Sequence, residues 1–68
     1  MITIYTLPNC GICKMVKTKL QQKHIMYEEK PFQDIAAEIN SNHAPALKIE
    51  NGEIYNSPTA IVNWINQQ

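Results

Sequence analysis

The chain has 68 residues, a formal net charge of zero and an apolar fraction of 44%. This length predicts a single domain over residues 1–68, and the apolar fraction is typical of a folded rather than a disordered protein. A neutral chain lacks the basic face that nucleic-acid binding needs. No apolar run approaches the roughly 18 residues of a membrane span, and no secretory signal is visible. We therefore expect a cytoplasmic protein without nucleic-acid or membrane partners.

The first half of the chain predicts a strand, a helix and a second strand. Apolar residues alternate with others over residues 1–6, which is typical of a strand, and Pro8 ends it because proline donates no ladder hydrogen bond. A helix is predicted from Gly11 to Lys23, where one face carries Ile12, Val16 and Leu20. The alternation in His24–Glu28 predicts the second strand.

The second half predicts a helix, a hairpin and a last helix. The helical spacing of apolar residues runs from Phe32 to Ile39, and residues 40–42 end that helix. Two short strands are predicted at Ala46–Glu50 and Glu53–Tyr55. The Asn51-Gly52 pair between them favours a type I′ turn, in which both residues have positive φ. Ser57 can cap the last helix, with Pro58 at its first position; its predicted core residues are Ile61, Val62 and Ile65.

The element order β-α-β-α-β-β-α predicts an α/β fold with a mixed sheet. The first two strands are joined through a helix, so they should be parallel with a right-handed crossover. The last two strands should form an antiparallel hairpin, and the helices should cover both faces of the sheet. A small α+β domain with another strand order is the alternative.

The only two cysteines, Cys10 and Cys13, lie three residues apart at the start of the first predicted helix. A helix N-terminus stabilises negative charge, so it favours a thiolate at Cys10. Cys13 lies one turn further on and should be more buried, with a higher pKa. This division predicts that Cys10 attacks a substrate disulfide and that Cys13 resolves the mixed disulfide by attacking Cys10. In the cytoplasm such a pair is more typical of catalysis or metal binding than of a structural disulfide.

A structural zinc site is the main rival interpretation of the cysteines. Cys10 and Cys13 together with His24 and His43 supply four ligands of the right type. Zinc-finger spacing, however, places the two histidines about 3–5 residues apart. The two histidines of this chain are much further apart than that, so the sequence favours no metal site.

Two proline-containing motifs carry a resemblance to a known family. Pro8-x-Cys10-x-x-Cys13 follows the first strand, and His43-Ala44-Pro45 precedes the third. With the hairpin and the final helix, they make nearly the whole chain similar to the glutaredoxin family of the thioredoxin-fold superfamily. The resemblance implies a minimal thioredoxin fold, with a four-stranded sheet ordered 2-1-3-4 and three flanking helices. It also implies a cis bond between Ala44 and Pro45, and a substrate chain paired with the backbone of Ala44.

The sequence departs from the family pattern at three places. Leu7 stands near the position where many members have a lysine, and Gly11-Ile12 separates the cysteines. The segment Asn56-Ser57 stands where the family usually has two glycines and then an acidic residue that hold the γ-glutamyl end of glutathione. Ser57 and the N-terminus of the last helix can still accept a carboxylate. The candidate substrate-binding residues are Tyr5, Ile12, His43, Ala44, Pro45 and Ser57. Packing within the sheet is the favoured alternative for Tyr5, and a surface position at the end of a loop is the alternative for His43.

The resulting hypothesis is a glutaredoxin-like thiol–disulfide oxidoreductase, monomeric and without bound metal or organic cofactor. It reduces protein disulfides or mixed disulfides, with electrons from glutathione or from NADPH through thioredoxin reductase. Ribonucleotide reductase is one candidate substrate, because short glutaredoxin-like proteins serve as its electron donors. A redox-inert thioredoxin-fold module that binds an extended peptide beside Pro45 is the non-enzymatic alternative, and the structural zinc module is the third.

Overall fold

A computed structural model of the chain describes residues 1–68 as four strands and three helices. In chain order they are β1 (Ile2–Thr6), α1 (Gly11–Gln22), β2 (Tyr27–Pro31), α2 (Gln33–Ile39), β3 (Ala46–Lys48), β4 (Ile54–Tyr55) and α3 (Pro58–Asn66). The sheet order is β2-β1-β3-β4; β1 is parallel to β2 and antiparallel to β3, and β3 is antiparallel to β4. The element order, the strand order and the minimal thioredoxin fold are confirmed.

The sheet has a hydrophobic cluster on each face, because side chains alternate between the faces of a strand. One cluster joins the sheet to α1 and α3 and contains Ile2, Ile4, Val16, Leu20, Leu47, Ile61 and Ile65. The other joins it to α2 and contains Tyr5, Phe32, Ile35 and Ala46. The helices therefore cover both faces, as predicted. Of the core residues predicted on α3, Val62 is only half-buried.

The second strand begins three residues later than predicted. His24 has φ 57° and follows the last turn of α1. Its N–H donates to the carbonyl of Gln21, and the N–H of Ile25 donates to the carbonyl of Leu20. This is the Schellman arrangement that ends a helix with one left-handed residue. Residues 24–25 are thus used to end α1, and the predicted strand at His24–Glu28 is wrong in its bounds.

The hairpin turn also differs from the predicted type I′ turn. Gly52 has φ 94°, whereas Asn51 does not have a positive φ. The N–H of Gly52 donates to the carbonyl of Ile49, and the Asn51 side chain accepts from the N–H of Glu53 at 2.8 Å. The loop is therefore a turn over residues 49–52 whose last residue is left-handed, stabilised by the asparagine side chain.

None of the helices has the length and apolar character needed to cross a membrane.

Candidate active site

Cys10 lies at the junction of a tight loop and a helix. Asn9 before it has φ 60°, a left-handed conformation that asparagine tolerates better than most residues. Cys10 itself is the N-cap of α1, with extended backbone, and its Sγ accepts a hydrogen bond from the N–H of Cys13 at 3.1 Å. The sulfur thus takes the place of a capping oxygen. The helix N-terminus favours negative charge at this half-buried side chain.

Cys13 lies one turn inside α1 and is only 2% exposed. Both cysteines are free thiols. Burial first, and then the hydrogen bond between the two thiol side chains, raise the pKa of Cys13 to about 11; the hydrogen bond with the backbone of Leu7 and the charge of Lys17 lower it. The prediction that the second thiol is the more buried of the two is confirmed.

An open groove of about 600 Å³ runs beside the two thiols. Its walls come from the end of β1 and the following loop, from α1, and from the end of β2 and the start of α2. The charged residues along it are Lys14, Lys17, Glu29 and Lys30. Lys14 and Lys30 are exposed and take part in no ion pair, since the only side-chain ion pair in the protein joins Lys17 and Glu29. The groove therefore has an excess of positive charge.

The Lys17–Glu29 pair connects α1 to β2 across the groove. Lys17 Nζ lies 3.0 Å from Glu29 Oε2, and the hydroxyl of Thr6 donates to the same oxygen at 2.7 Å. The hydrogen bond from Thr6 first, and that from Lys17 second, lower the pKa of Glu29; the hydrogen bond to Glu29 raises that of Lys17. Sequence reasoning missed these three residues. The spacing of four between Cys13 and Lys17 was readable from the sequence as a shared helix face.

The loop before β3 presents a free backbone group. The Ala44–Pro45 bond is cis, as the resemblance implied. The side-chain amide of Asn56 donates to the carbonyls of His43 at 2.7 Å and Pro45 at 3.2 Å. Between these two held carbonyls, the N–H and C=O of Ala44 make no hydrogen bond within the protein. An extended chain that binds at this loop can form hydrogen bonds with the free N–H and C=O of Ala44.

None of the six predicted substrate-binding residues lines the groove, and their surroundings differ. Tyr5 is 8% exposed and packs in the cluster with Phe32 on the α2 side of the sheet, so it does not line the groove. Ile12 is 44% exposed beside the cysteines. His43 is exposed, and its N–H donates to the Ser41 hydroxyl. Ser57 caps α3, its hydroxyl accepting from the N–H of Ala60 at 3.1 Å, so the expected cap is observed.

The residues of the zinc interpretation are not brought together. Nowhere do three or more His, Cys, Asp or Glu side chains lie close enough to hold a metal ion. The two cysteines therefore have no third ligand from this chain.

Solved structures with the same fold include two that belong to larger proteins. A glutathione transferase from Methylococcus capsulatus strain Bath matches 98% of this chain with a TM-score of 0.80 at 12% identity. A glutathione transferase homologue from Sulfitobacter, with bound glutathione, matches 98% with a TM-score of 0.78 at 20% identity. The chain spans only 37% and 36% of their respective lengths. These likenesses establish the fold.

Sequence comparison establishes the family. No curated protein matches the chain significantly. The family profile described as Glutaredoxin, however, matches residues 2–55, which is well over half of the chain and includes both cysteines and Pro45. With its four-stranded thioredoxin fold and its thiol pair at the start of α1, the chain belongs to the glutaredoxin family.

Proposed function

We propose that this protein is a thiol–disulfide oxidoreductase that reduces protein disulfides or mixed disulfides by a dithiol cycle between Cys10 and Cys13. The observation that carries the proposal is the arrangement of the two sulfurs at the start of α1. Cys10 is half-buried beside an open groove, and its Sγ accepts the N–H of the buried Cys13 at 3.1 Å. This difference in burial suits Cys10 to attack the substrate disulfide and Cys13 to resolve the mixed disulfide afterwards.

The cycle has two exchange steps. The Cys10 thiolate attacks a substrate sulfur; a Cys10–substrate bond forms, the substrate disulfide breaks, and the departing sulfur takes up a proton. Cys13 then loses its proton and attacks Cys10. A Cys10–Cys13 disulfide forms, the bond to the substrate breaks, and the second substrate sulfur is protonated. The substrate gains the two electrons that the two cysteines lose and two protons, one balanced by Cys13 and one by the proton that Cys10 released to solvent on forming its thiolate.

The unpaired backbone of Ala44 is suited to hold the substrate during these steps. Two backbone hydrogen bonds to an extended segment would align its sulfur with Cys10, in the manner of strand addition. Glutathione has two carboxylates, and the exposed ammonium groups of Lys14 and Lys30 favour such an anion in the groove. The Sulfitobacter structure, which shares this fold, has bound glutathione, and we propose glutathione as a ligand of this chain as well.

The cellular setting is part of the proposal. We propose a cytoplasmic monomer that takes electrons from glutathione or from NADPH through thioredoxin reductase, with ribonucleotide reductase among its protein substrates. Measuring the reduction of oxidised protein by mass spectrometry after thiol labelling separates the two reductants. Fast reduction by glutathione alone supports the first, and reduction that requires the reductase supports the second.

Serine substitutions test the dithiol cycle. Cys10→Ser should abolish reduction of a protein disulfide substrate, because the attacking thiol is lost. Cys13→Ser should accumulate a covalent adduct with that substrate, visible by intact mass and released by dithiothreitol. The wild-type protein in the same assay should give its own internal disulfide and no adduct. Full turnover by either variant would contradict the proposal.

A further inference from the structure

The ion pair beside the thiols lies on the same side of α1 as Cys13. Cys13 and Lys17 are four residues apart on the helix, which stacks them one turn apart on one face, and both line the groove. Lys17 is not a free surface lysine: its side chain is 28% exposed, and its Nζ is held at 3.0 Å by Glu29. Glu29 is in turn fixed by the Thr6 hydroxyl at 2.7 Å. The ammonium group is therefore anchored within the site.

Cys13 must lose a proton before it can attack Cys10, and burial opposes this. A cation near the sulfur opposes the effect of burial, because it stabilises the thiolate and not the thiol. The other charges around the groove are Lys14 on α1 and Lys30 on β2, which are exposed. Helix α3, which packs on α1, has no charged residue. Among the lysines that line the groove, Lys17 is the one whose ammonium group is held by a hydrogen-bonded partner.

We propose that Lys17, anchored by Glu29 and Thr6, is a positioning residue for the resolving thiol: it stabilises the Cys13 thiolate during attack on the Cys10 mixed disulfide. The inference rests on the dithiol cycle proposed above. In this step the Cys13–Cys10 bond forms as the Cys10–substrate bond breaks, and the proton lost by Cys13 is balanced by the one that the departing thiolate takes up from solvent in the groove. Lys17 and Glu29 keep their own protons and charges throughout.

The two exchange steps can be observed separately with dithiodipyridine, an uncharged disulfide that releases a chromophoric thione at each step. The first release reports attack by Cys10 and the second reports resolution by Cys13. Lys17→Gln should slow the second release about five-fold near neutral pH, since one nearby positive charge is lost. The rate of the first release should be unchanged. The curve of the second rate against pH should shift to higher pH. Lys17→Arg should restore much of the rate.

Glu29→Gln distinguishes anchoring from simple charge. If Glu29 acted only as a negative charge, its removal would speed the second release. If it holds Lys17 in place, its removal frees the ammonium group to solvent and slows the second release. Lys19→Gln is the matched control on the same helix but outside the groove, and it should change neither phase.

The outcomes separate this inference from the proposed function. An unchanged second phase in Lys17→Gln, or a faster one in Glu29→Gln, overturns the positioning role even when the protein reduces disulfides. Two normal phases in a wild-type protein that reduces no protein disulfide overturn the proposed function instead. Circular dichroism of each variant shows whether the fold is retained, and Thr6→Val, which removes only the hydroxyl anchor, should slow the second phase in a fold left intact.

Discussion

Asn56, between β4 and α3, is the residue that ties this turn to the loop before β3. Its side-chain amide spans two carbonyls, those of His43 and Pro45, and leaves the backbone of Ala44 between them unpaired. The conformation of the loop at Ala44 therefore depends on a side chain that is distant from it in the sequence.

Removal of the Asn56 amide should weaken both the fold and substrate binding. Asn56→Ala loses two hydrogen bonds, and we expect the free energy of unfolding to fall by about 1–2 kcal/mol in urea titrations. The KM for a protein disulfide should rise because the loop is less well fixed. Asn63→Ala, on the exposed face of α3, should change stability by less than about 0.5 kcal/mol. Equal effects of the two substitutions would show that Asn56 has no special role.

At the residue scale, the sequence predicted the parts of the site that are local in the chain. Cys10 and Cys13 are one helical turn apart, so spacing alone indicated which thiol would be buried. The contact between Thr6 and Glu29 joins residues far apart in the sequence, and it depends on the register of β1 against β2. No local pattern encodes that register. Tyr5 was a candidate for the thiol site with sheet packing as the favoured alternative, and strand alternation directs its side chain into the cluster on the α2 side of the sheet.

At the element scale, residues with positive φ decide where elements end. His24 ends α1 and Asn40 ends α2 in this way, and Gly52 closes the hairpin. The sequence located α1, α2 and α3 well, because their apolar spacing extends over several turns. It placed β2 three residues too early, because a Schellman ending at His24 and Ile25 has the same short apolar alternation as a strand. The backbone conformation of His24 was not readable from residue type.

The two glycines of the chain should respond oppositely to alanine. Gly52 has φ 94°, so Gly52→Ala should destabilise the protein by about 1 kcal/mol. Gly11 lies in the first turn of α1, without positive φ, and a Cβ added there meets nothing within 4 Å. Gly11→Ala should therefore stabilise the protein by about 0.5–1 kcal/mol. Thermal unfolding of the reduced proteins measures both, and a stabilising Gly52→Ala would contradict the assigned turn.

At the scale of the whole molecule, the buried Cys13 thiol links folding stability to pH. Its pKa is raised from 9.0 to about 11 in the fold, so the unfolded chain loses this proton first as the pH rises. The contribution is fully present below about pH 9 and is lost as the pH rises to about 11. Reduced wild-type protein should therefore lose about 2 kcal/mol of stability relative to reduced Cys13→Ser over this range. A difference that stays constant with pH would contradict it.

The overall topology was the most predictable level of the structure. Each of the seven elements has a local sequence pattern, and the right-handed crossover rule leaves few ways to arrange them. The strand order 2-1-3-4 itself came from the family resemblance, since pattern and handedness alone left another order open. The strand order depends physically on which strands have apolar side chains on both faces, because such strands are best buried inside the sheet. β1 has Ile4 on one face and Tyr5 on the other, both buried, and it lies inside the sheet.

The two outer strands of the sheet have a consequence for association. β2 is rich in charge at Glu28, Glu29 and Lys30 and ends in Pro31, whereas β4 is only two residues long. Edge strands that are charged, end in proline or are very short do not favour pairing with a strand of another chain. The free backbone of Ala44 belongs to neither edge strand, since it lies in the loop before β3. We therefore expect an extended substrate chain to pair with the backbone of Ala44 rather than with an edge strand. For the same reason, we expect the sheets of two copies of the protein not to pair edge to edge.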